Sequence, residues 1–213
     1  MALGLTTEAG GGDFTPIVKY DARAGRMFRI DREQGAAGWE TNSVEISNGF
    51  KAIFDMENIQ VGWALFAAGI APSFALVPLG QPLPAKPSDQ HKQGFKILLK
   101  LGKDAGGDVR ELSSCAKVVI NALDSLHTAY EAQKAANPGK LPIVAMTGTK
   151  PVVSQGQGQS STNYMPVFEI VAWADRPAEL TGTSTVAPAP APAPQAAVAP
   201  APAAKALVGA EEF

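Results

Sequence analysis

The sequence predicts an all-β fold with one helix, closed into a barrel and followed by a disordered C-terminal tail. Three observations predict it. Short runs of β-branched and aromatic residues alternate with turn residues, only one stretch has helical periodicity, and the composition turns to Pro and Ala after about residue 180. With 46% of its 213 residues hydrophobic, the chain can bury one core.

Residues 1–13, with Gly10, Gly11 and Gly12, hold too little apolar surface to pack and are expected to form a flexible arm. The folded domain is expected over residues 14–180. Ile17, Val18, Tyr20, Phe28 and Ile30 flank a turn-like segment, Asp21 to Gly25, which reads as a hairpin. A Gly-punctuated loop from Gln34 to Gly38 follows. Val44–Ile46, Phe50–Met56 and Ile59–Ala68 read as strands, and Pro82, Pro84 and Pro87 make Leu79–Ser88 an extended loop. In Gln93–Leu101 strict alternation sets Phe95, Ile97, Leu99 and Leu101 on a core face and Lys96, Leu98 and Lys100 on the other. Residues 109–136 read as the helix, with Asp108 as its cap, Glu111 at the capping-box position and Asn137-Pro138-Gly139 as its end. Leu141–Met146 and Met165–Trp173 read as two last strands joined by a polar loop, Gln155–Asn163.

Several function classes find no support. The most apolar stretch, Val61–Leu79, is interrupted by Gly62, Gly69, Pro72 and Pro78, so no membrane span is expected. MALGLTTEAGGG lacks the basic and apolar regions of a secretory signal, which points to a cytoplasmic protein. Cys115 with His91 and His127 does not supply an ordinary zinc site, and no cofactor or metal is expected. Both Cys115 and His127 read as packing residues near the helical stripe, and Asp55 and Glu57 as turn and surface groups. No nucleophile, base and orienting group occur together, and the chain reads as a non-enzyme.

Charge is unevenly placed despite a net value of −2. Residues 19–32 carry Lys19, Arg23, Arg26, Arg29 and Arg32 against Asp21 and Asp31, and residues 86–103 carry five lysines against Asp89. Cations interleave with aromatics at Lys19-Tyr20, at Arg26-Met27-Phe28-Arg29 and at Phe95-Lys96, the mixture that holds a single strand by phosphate contact and base stacking. Phosphate contacts are therefore expected from Lys19, Arg23, Arg26, Arg29, Lys96 and Lys100, and stacking from Tyr20, Phe28 and Trp39.

Residues 181–208 form a Pro/Ala-rich linker, expected to be disordered and to span about 30 Å as a coil or about 90 Å fully extended. The tip, residues 209–213, ends Glu211-Glu212-Phe213 and joins a ring to three carboxylates, a shape suited to an apolar pocket with a basic rim. This architecture resembles bacterial and phage single-stranded DNA-binding proteins: a nucleic-acid-binding domain, a low-complexity linker and an acidic tip closing on Phe. The resemblance covers the architecture and residues 211–213, with fewer acids than many members carry. It implies an OB-like barrel of five strands, sequence-tolerant coating of single-stranded DNA, and recruitment of replication, recombination and repair proteins by Glu211, Glu212 and Phe213. A phage-encoded protein acting in the host cytoplasm fits it. A homo-oligomer is compatible with the sequence and not specified by it. The competing expectation is a virion or scaffold-type interaction protein using the tail as a spacer.

Overall fold

The computed structural model describes residues 15–35, 38–156 and 159–181. The expected N-terminal arm, the linker beyond Thr181 and the tip residues Glu211, Glu212 and Phe213 lie outside them.

Ten strands form one curled, half-barrel sheet: β1 (Ile17–Asp21), β2 (Arg26–Gly35), β3 (Gly38–Glu45), β4 (Lys51–Phe54), β5 (Gln60–Leu65), β6 (Ser73–Pro78), β7 (Lys92–Leu101), β8 (Val109–Ser114), β9 (Lys140–Gly156) and β10 (Gln159–Asp175). The long helix is α1 (Lys117–Gln133), and a one-turn helix, α2 (Ala178–Thr181), ends the described chain. The strand order is β10-β9-β4-β7-β8-β1-β2-β3; β5 lies beside the first half of β7, and β6 lies outside β5. All pairs are antiparallel except β1 with β8, where Ile17 meets Glu111 and Val18 meets Leu112. Two irregularities in the β9–β10 ladder, at Val167/Phe168 and Ile170/Ala172, add local bend to the hairpin.

The core lies on the inner, concave side. Phe95, Ile97, Leu99 and Leu101 of β7 all point into it, as their alternation predicts, and meet Val18, Met27, Phe54 and Leu112. Val119, Leu123 and Leu126 of α1 close the same cluster, and Tyr130 stacks on Trp173 at 5.8 Å. Each fully buried side chain of this kind contributes about 1.5–3 kcal/mol.

Three expectations are corrected. The helix begins after Ala116, not Asp108, because residues 109–114 alternate with period two: Arg110 and Leu112 point inward while Glu111 and Ser113 point out. Leu112 satisfies both periodicities, which made the two elements read as one helix. Asp108 spends its carboxylate on Arg110, and Glu111 on Lys96. The polar segment expected as a loop over 155–163 mostly continues the hairpin, with rungs out to Gly156 and Gln159. Finally, ten strands replace five, in part because Ser73–Pro78, read as the end of one apolar run, is a strand of its own.

Candidate nucleic-acid interface

The outer side of the sheet carries a row of groups suited to a single strand. Residues directly opposite on neighbouring strands share a face, so the register fixes the row. Lys96 of β7 faces Ser113 of β8, Lys19 of β1 faces Phe28 of β2, and Phe28 faces Glu45 of β3. Extending the β1–β8 register by one residue sets Lys19 beside Ser113, which joins the two halves. Lys19 is exposed, while Phe28, Lys96 and Ser113 are half-buried. The next row, Leu98, Glu111, Ile17 and Ile30, is half-buried and mostly apolar, and Glu111 holds Lys96 at 2.7 Å. At the far end the Lys96 ammonium lies 5.3 Å from the centre of the Phe74 ring, and Phe74 meets Phe66 edge-on at 5.6 Å. By register Phe74 lies opposite Ala64 and Lys92, four residues along from Lys96, so its ring joins the row only through its contact with the Lys96 ammonium. From β6 to β2 is five strand spacings, about 24 Å along the curled sheet at the usual 4.8 Å.

Arg26 belongs to this face, exposed and paired with Glu45 at 2.9 Å. Arg23 is exposed in the β1–β2 turn, at the edge of the face. That turn is held by Asp21, whose carboxylate accepts hydrogen bonds from the Arg23 and Ala24 backbone N–H groups. Those bonds, Ala24 first, hold its carboxyl below the ordinary range, with Lys19 and Arg23 adding to the effect. Gly25 has φ +68°, and a Cβ there would lie 3.1 Å from the Tyr164 Cβ, so the turn seats against β10 only as glycine.

Four candidates stand elsewhere. Tyr20 is a core residue, 8% exposed, whose hydroxyl donates to the Tyr164 carbonyl at 3.0 Å; burial pushes its phenol up to about 12, and it offers no ring for stacking. Its sequence neighbour Lys19 points out because strand side chains alternate. Arg29 points to the inner side, pairs with Asp31 at 3.0 Å and donates to the Ala105 carbonyl at 3.0 Å. Gly106 makes room for it, since a Cβ there would lie 2.6 Å from the guanidinium. Lys100 is held by Glu179 of α2. Trp39 lies on β3 opposite Gln34, and its side chain is outside the described residues.

Sequence reasoning also missed residues. Phe66 fell in the strand expected over Ile59–Ala68 and Phe74 in the apolar run after it, neither taken as a stacking ring, and the prolines at 72 and 78 were the available signal for a separate strand between them. Arg110, 5% exposed, pairs with Asp31 at 2.6 Å and Asp108 at 2.8 Å and donates to the Ile30 carbonyl at 2.9 Å. Burial alone would raise the Asp31 carboxyl, but hydrogen bonds from Arg110 and Arg29 hold it below the ordinary range. Asp55 is buried rather than a surface turn group, because Arg176 grips both its oxygens at 2.9 Å while also reaching Glu57 at 2.6 Å. With Leu180 buried, this clamp fixes the last described residues to the domain. Cys115 and His127 are half-buried. Among the described residues no helix is long and apolar enough to cross a membrane. No family model, curated protein or solved structure matches the chain.

Proposed function

We propose that this protein binds single-stranded DNA along the outer face of its sheet, with little sequence preference, and recruits replication, recombination or repair proteins through Glu211, Glu212 and Phe213. The observation that carries the reading is the row Lys96, Ser113, Lys19 and Phe28 with the Phe74 ring at its end. It sets two lysines between an aromatic ring at either end, Phe74 and Phe28, on a face that the core helix leaves open. Aromatic faces accept any base and cations any phosphate, which gives tolerance of sequence. A row of about 24 Å has room for about seven stacked nucleotides at 3.4 Å each, within the range of sites known for OB-type domains. Lys96 and Arg26 already hold carboxylates, so phosphate must displace Glu111 and Glu45 or share the cations with them. Affinity is thereby moderated. The test is titration of labelled oligo(dT) at several salt concentrations. Binding should weaken with salt, and replacing Lys19 and Lys96 by alanine should flatten the logarithmic slope by about 0.7 for each phosphate no longer neutralised. Absence of binding at low salt would reject the reading and favour the virion or scaffold alternative.

A further inference from the structure

Two of the sheet's edge strands, β3 and β6, differ in charge. β3 carries Glu40 and Glu45, whereas residues 58–85, which contain β5 and β6, hold no charged side chain. Within that uncharged stretch Phe66 is 43% exposed and Ile70 57%, and Leu79 is exposed at the other end of β6. The free edge of β6 is readable from the register. Leu79 N–H donates to the Ile59 carbonyl at 2.9 Å, so in the same ladder Val77 and Ala75 turn their backbone groups toward β5. Phe74 and Leu76 then turn theirs away. Among the described residues β6 pairs with β5 alone; on that far edge the Pro78 carbonyl accepts from the Gln81 N–H, and no backbone hydrogen bond reaches Phe74 or Leu76. Native edges are ordinarily blunted by charge, proline or a covering element. Here Pro72 and Pro78 bound the edge and leave its centre open.

We propose that β6 is the interface with a second copy of this chain, paired antiparallel across a two-fold axis at Ala75. In that register Phe74 meets the partner's Leu76 and Leu76 the partner's Phe74, each pair exchanging both backbone hydrogen bonds. Ala75 meets its own copy in the close, non-hydrogen-bonded position, where a small side chain fits. Pro72 and Ile70 at one end approach the partner's Pro78 and Leu79 at the other, so the exposed apolar groups cover one another. An uncharged edge meets its own copy without repulsion, while β3 would bring like carboxylates together. The two-fold stands perpendicular to the sheet and sets both outer faces on one side. This geometry does not depend on the DNA reading. The test is the mass of the full chain in solution by light scattering, with folding checked by thermal melting. The native chain should have twice the single-chain mass. F74K and L76E should each be monomeric, and the double variant, which faces opposite charges across the axis, should recover the dimer. With Cys115 replaced by serine, A75C should give a covalent dimer under mild oxidation, since such pairs stand about 4.5 Å apart, within disulfide reach. A native monomer, or folded single variants that stay dimeric, would overturn the proposal, as would a double variant that stays monomeric or an A75C chain that fails to cross-link.

Discussion

Cations serve two unlike purposes in this domain, and burial separates them. Arg110 is buried and Arg176 half-buried, each gripping more than one acceptor; of their carboxylate partners Asp55 is buried and Asp31 mostly covered, while Asp108 and Glu57 stay open to solvent. Lys19 and Arg26 are exposed on the outer face, where solvent screens the Arg26–Glu45 pair, and Lys96 beside them is half-buried against a mostly covered Glu111. A buried charge is costly to orphan, whereas an exposed pair contributes little to stability and stays available to a ligand. The first group should therefore govern folding and the second binding.

The largest expected effect is at Arg110. Arg110→Ala leaves the Ile30 carbonyl without this donor and Asp31 with Arg29 alone, and should cost about 3–5 kcal/mol in urea unfolding. A loss below about 1 kcal/mol would erase the distinction between the two groups. Next in size, Phe74→Ala should weaken oligonucleotide binding by about 1–3 kcal/mol if its ring stacks a base. Because Phe74 also faces the proposed dimer axis, its binding loss must be compared with that of L76E, which should leave the ring in place.

Tyr20→Phe removes the bond to the Tyr164 carbonyl and should cost about 1 kcal/mol. The raised phenol also sets a sign. Folding favours the protonated ring, so its contribution is full below pH 10 and is lost as pH rises toward about 12, through unfolding that the phenylalanine variant should show less. Asp31 acts in the opposite direction, its contribution being present above the ordinary carboxyl range and lost as acid protonates it in the folded state. The smallest effect is expected at Arg26, whose pair with Glu45 is exposed. Arg26→Ala should change stability by less than about 1 kcal/mol, and a larger loss would place it with the structural cations.

What was legible in the sequence was local. The alternation of β7 was readable because both of its faces are regular, and the hairpin of β1 and β2 because its turn residues bracket it. The β8–α1 boundary was not, since Leu112 fits both periods and only pairing with β7 decides between them. Tyr20 and Lys19 looked equivalent as neighbours in a basic, aromatic segment; the curl of the sheet sends one inward and the other out. Arg29 and Arg26 are separated by the same rule, which needs the identity of the core face before it can be applied. Phe74 became visible only when β6 was placed beside β5 and under Lys96, a long-range relation that no window of sequence contains.

The parallel contact of β1 with β8 has a consequence for how the chain is made. Ile17 cannot find Glu111, nor Lys51 find Ala145, until most of the domain has been synthesised. Such pairings across long stretches of sequence slow folding, because the entropy of closing the loop is lost before the contacts repay it. The β5–β6 hairpin can form early from neighbouring residues, and its uncharged edge is then exposed while the rest of the barrel is still incomplete. Newly made chains are therefore most prone to aggregate through β6 during this interval, and slowing synthesis after residue 91 should lower the yield of soluble protein.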